Sequence, residues 1–333
     1  MLIGEVARRS GVSARMLRHY ESLGLVRPSG RTGTGYREYS GEDIRRIFHI
    51  ESLRTLGLSL REIGRALGDP GFQPSALVAD LIRQTRERIA VETELLTRLC
   101  RIDAAEPAGW EEVLHTVSFL QALGSKNADA RQRAALAPVD SVPAPVDALV
   151  EAVLSETEPN VAGALRWALA RSGGGTALLA EGLDSPVAAV RRRAVQALAE
   201  MPDGEASARL RDALAHPDAV VRGYAALALG TRGVADTVPT LIDMIVEGRN
   251  DTDAADALSV LAGDIATAER IATGVVGRLG HEDTGAPARV RLTQALADIP
   301  GPTASRALVE LSHDDDRAVA LTAAYLRQLR DGR

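Results

Sequence analysis

Leu183-Asp184-Ser185-Pro186, followed by Val190-Arg191, Ala194 and Ala197-Leu198, returns as Leu214-Ala215-His216-Pro217, Val221-Arg222, Ala225 and Ala228-Leu229. Every element is displaced by 31 residues. A fixed period of this size marks a stacked array, because each unit is too thin to bury its apolar face alone. Weaker copies place Ala168-Leu169, Ala257-Leu258 and Ala295-Leu296 at the same inner position, with Arg289 at the arginine position. A last copy runs from about Thr303 to Leu329, with its turn at His313-Asp314. Each unit reads as a helix, a turn carrying Asp or Pro, and a second helix that packs through small Ala.

This pattern resembles short HEAT-like repeats of prokaryotic type. Five or six units are expected within residues 103–333, clearest from about 145, with atypical ends. Residues 103–137 form either a degenerate unit or an adaptor, and Pro138, Pro143 and Pro145 mark a break before the clearer array. The resemblance also bears on Arg191, Arg222 and Arg289. In such units an Arg opening the second helix pairs with an acid of a neighbouring unit, and Asp184 and Asp218 are available. The Arg191-Arg192-Arg193 run admits a nucleic-acid reading instead, but the body's overall acidic balance favours the structural ladder. Gly173-Gly174-Gly175 reads as a loose turn between units, and His216 and His313 as turn residues.

Composition agrees with a mainly α protein. Hydrophobic residues make up 45% and charged residues 25% of 333, which excludes disorder for the bulk of the chain. Aromatics are only 3%, too few for the aromatic and β-branched strands of a sandwich. No run of 18 apolar residues occurs, so no membrane partner is expected, and the start lacks the features of a signal peptide. A single cysteine, Cys100, excludes an intrachain disulfide. A cytoplasmic, nucleoid-associated protein is expected. The six histidines show no ligand spacing, so neither metal nor cofactor is expected. Gly-rich phosphate loops and catalytic signatures are absent from the sequence.

The net charge of −6 hides a gradient. Residues 1–69 hold 12 Arg against 8 acids, +4, whereas residues 103–333 hold 22 Lys+Arg against 33 acids, −11. A basic head on an acidic body predicts that only the head meets a polyanion. Within the head, Ile3, Val6 and Ala7 give one short helix ended by Gly11. Ser13 can N-cap the next, Ala14 to Ser22, which Gly24 ends. Two short helices across a glycine turn form a helix-turn-helix. Arg15 and Arg18 lie three apart near the start of the second helix, where a recognition helix meets the major groove. Arg27 to Tyr39 reads as a β-hairpin wing with a glycine-rich tip. Helices follow from Gly41 to Thr55 and from Ser59 to Leu67, the latter with Leu60, Ile63 and Leu67 inside.

Ile3-Gly4-Glu5-Val6-Ala7, Val12-Ser13, Leu17-Arg18-His19-Tyr20-Glu21, Gly24-Leu25, Gly35-Tyr36-Arg37-Glu38-Tyr39 and Gly57-Leu58-Ser59-Leu60-Arg61-Glu62-Ile63 together resemble the DNA-binding domain of MerR-type transcriptional regulators. The resemblance covers residues 1–69, about a fifth of the chain. It implies a winged helix-turn-helix in a homodimer that binds double-stranded promoter DNA and distorts it, acting on RNA polymerase indirectly through the promoter. Met16 stands where that family commonly has a small or hydroxylated residue, a departure that bears on base preference. The DNA-facing set is Gly4, Ser13, Arg15, Arg18, Tyr20, Arg31, Tyr36, Arg37 and Tyr39. Arg15 and Arg18 are expected at base edges or phosphates, and the tyrosine hydroxyls at phosphates. Arg37 is expected on the wing, Arg31 at its loop tip, and Gly4 where a backbone N–H approaches a phosphate. The opposing reading has Tyr20 and Tyr36 in the core and Arg18 or Arg37 in internal ion pairs.

Pro70, Gly71 and Pro74 break the chain, after which residues 75–102 contain neither Gly nor Pro. Val78, Ile82, Thr85, Ile89, Glu92, Leu96 and Leu99 step by fours and threes, the seam of a coiled coil. Its place after the head matches the dimerisation helix of the resembled family, an antiparallel coiled coil. Cys100, near its end, reads as a small apolar filler.

Two function classes remain. The leading one is a transcription regulator, not an enzyme, whose array senses an effector, either a bulky small molecule or a protein. The alternative is a DNA-processing enzyme of the HEAT-like DNA glycosylase type with a DNA-binding head, which needs a basic groove on the array. Trp110, Phe119, Trp167, Tyr224 and Tyr325 are the large aromatics of the body and are candidates to line an effector site; core packing is the more common fate of such residues, and no effector residue is assigned.

Overall fold

The computed structural model describes residues 1–33, 35–69, 73–137 and 144–331. The expected breaks at Pro70, Gly71, Pro138 and Pro143 lie outside them. Two compact units emerge, Met1–Thr93 and Glu94–Arg333.

The first unit begins with α1 (Ile3–Ser10) and α2 (Ala14–Ser22). Gly11 closes α1 at φ +73°, a left-handed conformation that a Cβ disfavours. Strands β1 (Gly30–Arg31) and β2 (Arg37–Glu38) pair antiparallel, with Arg31 opposite Arg37. Helices α3 (Gly41–Thr55) and α4 (Leu60–Gly68) both open with reciprocal capping boxes, Ser40 with Asp43 and Ser59 with Glu62. Each box satisfies two otherwise orphaned N–H groups, which fixes the helix starts sharply. Val6, Leu17, Tyr20, Ile47, Ile50 and Ile63 form the fully buried centre.

Helix α5 (Pro74–Ala104) runs 31 residues, about 46 Å. Leu77 and Leu81 pack against the head's core, while no residue of the helix is itself fully buried.

The second unit is a stack of helix pairs. The first pair is α6 (Trp110–Leu123) with α7 (Ala128–Ala135). Next come α8 (Val146–Ser155) with α9 (Pro159–Ser172), and α10 (Thr176–Leu183) with α11 (Ala188–Glu200). Then α12 (Gly204–Ala213) pairs with α13 (Ala219–Thr231), and α14 (Val238–Glu247) with α15 (Asp251–Leu261). The last pairs are α16 (Ile265–Leu279) with α17 (Ala286–Ala295), and α18 (Pro302–Leu311) with α19 (Arg317–Asp331). The second helices contact one another in series from α7 to α19, forming one continuous layer. The six pairs from α8 onward are the expected repeats, and residues 110–135 add a further pair. Ala168, Ala197, Ala257 and Ala295 are buried as the period requires, whereas Ala228 is only partly buried. Small residues set the spacing: a Cβ on Gly182 would lie 3.0 Å from the Ala194 Cβ. Among the described residues no helix is long and apolar enough to cross a membrane.

The arginine ladder is present. Arg191 donates through Nη2 to Asp218 of the next unit at 2.7 Å and through Nη1 to the Ser185 carbonyl at 2.8 Å. Arg289 pairs likewise with Asp314. Arg131, which the repeat pattern did not flag, holds Glu156 at 2.7 and 2.9 Å and donates to the Ser125 carbonyl six residues back. Arg222 departs from the expectation. Among the described residues it donates to the His216 and Pro217 carbonyls and to no acid; Arg249 and Asn250 stand where the next unit would supply one. Asp184 is also a correction: it is the C-cap residue of α10 and, among the described residues, pairs with no arginine. His216 is a turn residue, its Nδ1 accepting the Asp218 N–H at 3.0 Å.

The aromatics of the body correct a second expectation. Trp110, Trp167 and Tyr325 are exposed at 80%, 44% and 60%, while Phe119 and Tyr224 are partly buried against the array core. Trp110 lies on α6 and Tyr325 on α19. Trp167 instead lies under the Arg171 guanidinium, 4.8 Å from its ring centre.

Candidate nucleic-acid interface

Ser13 sits before α2 and accepts the Met16 N–H at 3.2 Å, so its hydroxyl serves as the N-cap. That cap fixes the helix phase. Leu17 and Tyr20 point into the core, and Arg15, Arg18 and His19 are left on the exposed side. Among the described residues the guanidinium groups of Arg15 and Arg18 enter no ion pair or hydrogen bond. His19, one turn beyond Arg15, joins this face. It was not among the expected residues, although its spacing of four places it there.

The wing presents Tyr36, 64% exposed, next to its turn. Arg31 is exposed too, but it lies on β1 opposite Arg37 and not at the loop tip. The glycine-rich tip takes up the reversal two residues later, with the Gly35 N–H donating to the Thr32 carbonyl at 2.8 Å. Gly4, in the first turn of α1, is exposed and has open space where a Cβ would stand. The first N–H groups of a helix have no intrahelical acceptor and can meet an anion; here the Glu5 N–H already donates to the Leu2 carbonyl at 2.9 Å, which leaves the N–H of Gly4 for that role. The terminal ammonium of Met1 donates to the Tyr39 carbonyl at 2.9 Å, and Leu2 bridges to Glu38, so this end of α1 is pinned to the wing.

Three expected DNA contacts are corrected. Tyr20 is fully buried; its hydroxyl donates to Glu51 and accepts from Arg54 Nη1 at 2.8 Å. Burial, and then the adjoining Glu51 carboxylate, push its phenol above the ordinary value. Tyr39 is 3% exposed, and its hydroxyl is buried with no partner among the described residues. Burial raises its pKa as well, followed by the charge of Glu21. Both rings are the large apolar filling of a small core that has few other aromatics. Arg37 donates from Nε to Glu21 at 2.6 Å, so the wing's guanidinium is anchored to α2.

The first unit therefore offers Arg15, Arg18, His19, Arg31 and Tyr36 to solvent on a helix-turn-helix and wing. Residues 1–69 match the model of the MerR HTH family regulatory protein. They are a MerR-family helix-turn-helix domain. Residues 176–262 match the HEAT repeats model, and the body is an α-solenoid of such repeats. The chain is 42% identical over 97 residues to the Nodulation protein NolA of Bradyrhizobium sp. (strain NC92), covering 29% of this chain and 39% of that one. It is 46% identical over 67 residues to an uncharacterized HTH-type transcriptional regulator of Pseudomonas aeruginosa, covering 20% and 51%. The HTH-type transcriptional activator TipA of Streptomyces coelicolor is 42% identical over 74 residues, covering 22% and 29%. The chain thus spans between about a third and a half of the length of these relatives.

The DNA-glycosylase alternative has no support. It requires a basic groove, and the groove on the layer of second helices is lined by Glu200, Asp253 and Asp256 against Arg166.

Proposed function

We propose that this chain is a MerR-type transcriptional regulator: a homodimer whose heads bind and distort promoter DNA, and whose repeat array senses an effector. The observation that carries the reading is the pair of unengaged guanidinium groups, Arg15 and Arg18, on the exposed side of α2 in a MerR-family head. Arginines on a recognition helix supply phosphate neutralisation and bidentate contacts to guanine. The exposed seam of α5 supports the dimer. Val78, Ile82, Ile89, Leu96 and Leu99 are 44–60% exposed, with Thr85 and Glu92 exposed between them. Five large apolar side chains on one stripe of a long helix call for a partner, and a second copy of α5 has the complementary stripe. RNA polymerase is reached through the geometry of the promoter, without a direct contact.

The test is binding to a near-palindromic promoter element as salt rises. Affinity should fall steeply on a log–log plot, and Arg18→Ala should flatten the slope while leaving the melting temperature unchanged. Salt-independent binding, or an unaltered affinity in Arg18→Ala, would contradict the assignment.

A further inference from the structure

Outside the head, one cavity combines size, apolar wall and uncompensated charge. It is a groove of about 480 Å³ along the second helices α9, α11, α13 and α15. That volume suits a drug-sized molecule. Tyr224, Leu227 and Val260 give it an apolar wall, and Val260 is 59% exposed although it stands beside them. Its one guanidinium, Arg166, is engaged by Glu200 at 2.6 Å. Asp253 and Asp256 enter no ion pair among the described residues and lie three apart on α15, on one side of the helix. Like charges at this spacing repel, and an apolar wall concentrates their field in the groove. Among the described residues no group of three or more His, Cys, Asp or Glu side chains is placed to hold a metal ion. A diffuse organic cation is the complement.

We propose that this groove binds a small organic cation with a flat apolar body: the body lies against Tyr224, Leu227 and Val260, and the positive centre lies between Asp253 and Asp256. The site deepens the sensor reading of the array and rests on it only for its effect on DNA. The face of Tyr224 adds a cation–π attraction to the same charge. Anions of the same shape are repelled.

The experiment titrates the full-length protein with 1-pyrenemethylammonium and with 1-pyrenecarboxylate, read by fluorescence anisotropy. The cation should bind at least tenfold more tightly than the carboxylate. The double substitution Asp253→Asn with Asp256→Asn should weaken the cation at least tenfold, and Val260→Arg, at an exposed position, should do the same. Equal affinity for the two probes, no binding of the cation, or unchanged affinity in both variants would overturn the site. Operator affinity is then measured with the cation saturating. A change supports the sensor reading. Cation binding as expected with operator affinity unchanged overturns the sensor reading and leaves the site standing.

Discussion

Arginine supplies nearly all the positive charge in both the head and the repeat array, yet the arginines at the repeated position of the array and those on the exposed side of the head meet opposite surroundings. In the head, Arg15, Arg18 and Arg31 are exposed and, among the described residues, engaged by no acid. In the array, Arg131, Arg191 and Arg289 are each held by a carboxylate 25 or 27 residues further on, supplied by the next unit. Two of them also donate to the carbonyl six residues back. Further arginines act as staples between units. Arg232 donates to the Ala199 and Met201 carbonyls at 2.7 Å, and Arg330 to the Ile299 carbonyl at 2.9 Å. The head has its own internal arginines, since Arg46 donates to the Leu25 carbonyl and Arg37 to Glu21. Arginine content is therefore a poor guide to nucleic-acid binding. What separates the two uses is whether the fold brings a carboxylate or a helix-end carbonyl within reach of the guanidinium.

The largest effect expected concerns the helix that joins the two regions. The head's free arginines act in symmetric pairs only if the α5 seam unites two heads. Ile89 is 59% exposed in one chain, so Ile89→Asp should leave the fold intact, run as a monomer in light-scattering chromatography, and bind the operator at least 100-fold more weakly. An intact dimer would place the dimer contact elsewhere.

A second expectation sharpens the ladder side. Hydrogen bonds from Arg191 hold the Asp218 carboxyl below the usual aspartate range. A depressed folded-state value adds stability above the unfolded value, near pH 4, and that stability is lost as pH falls further. Arg191→Ala should destabilise the array by about 1–2 kcal/mol at pH 7. The loss should shrink as pH drops from about 4 to 3, because wild type forfeits the same contribution. Thermal unfolding at the two pH values checks this, together with a gel shift that should not change. A loss of DNA affinity in Arg191→Ala would break the contrast.

Much of this was legible in the sequence, for identifiable reasons. Period and capping residues locate helices well: Gly41–Thr55 and the Ser59 start emerge as expected, because Ser with an acid three residues later fixes a helix start. The sequence left Tyr20 and Arg37 open between DNA contact and internal packing or pairing, and it placed Tyr39 at a phosphate. Each depends on a group distant in sequence: the Tyr20 hydroxyl on Glu51 and Arg54, the Tyr39 ring on a core assembled from several helices, and Arg37 on Glu21. The register of Arg131 with Glu156 was hidden because that pair of helices has drifted from the 31-residue pattern. Arg222 looked equivalent to Arg191 because the identity of the next unit's acid is not written in its own repeat.

The smallest expected effect separates two tyrosines of the head. Tyr36→Phe should lower operator affinity a few-fold with no change in melting temperature, since its exposed hydroxyl is free for a phosphate. Tyr20→Phe should cost about 1 kcal/mol of stability by removing two hydrogen bonds, and leave operator affinity of the folded protein unchanged. Reversed outcomes would exchange their roles.

The central claim is that the head meets DNA and the array does not. It is tested most directly by the affinity of residues 103–333, folded as judged by circular dichroism, for double-stranded DNA at low salt, where non-specific attraction is strongest. The account predicts no measurable binding, given a net charge of −11 and the engagement of Arg131, Arg191, Arg232, Arg289 and Arg330 within the array. Tight binding by that fragment would contradict it.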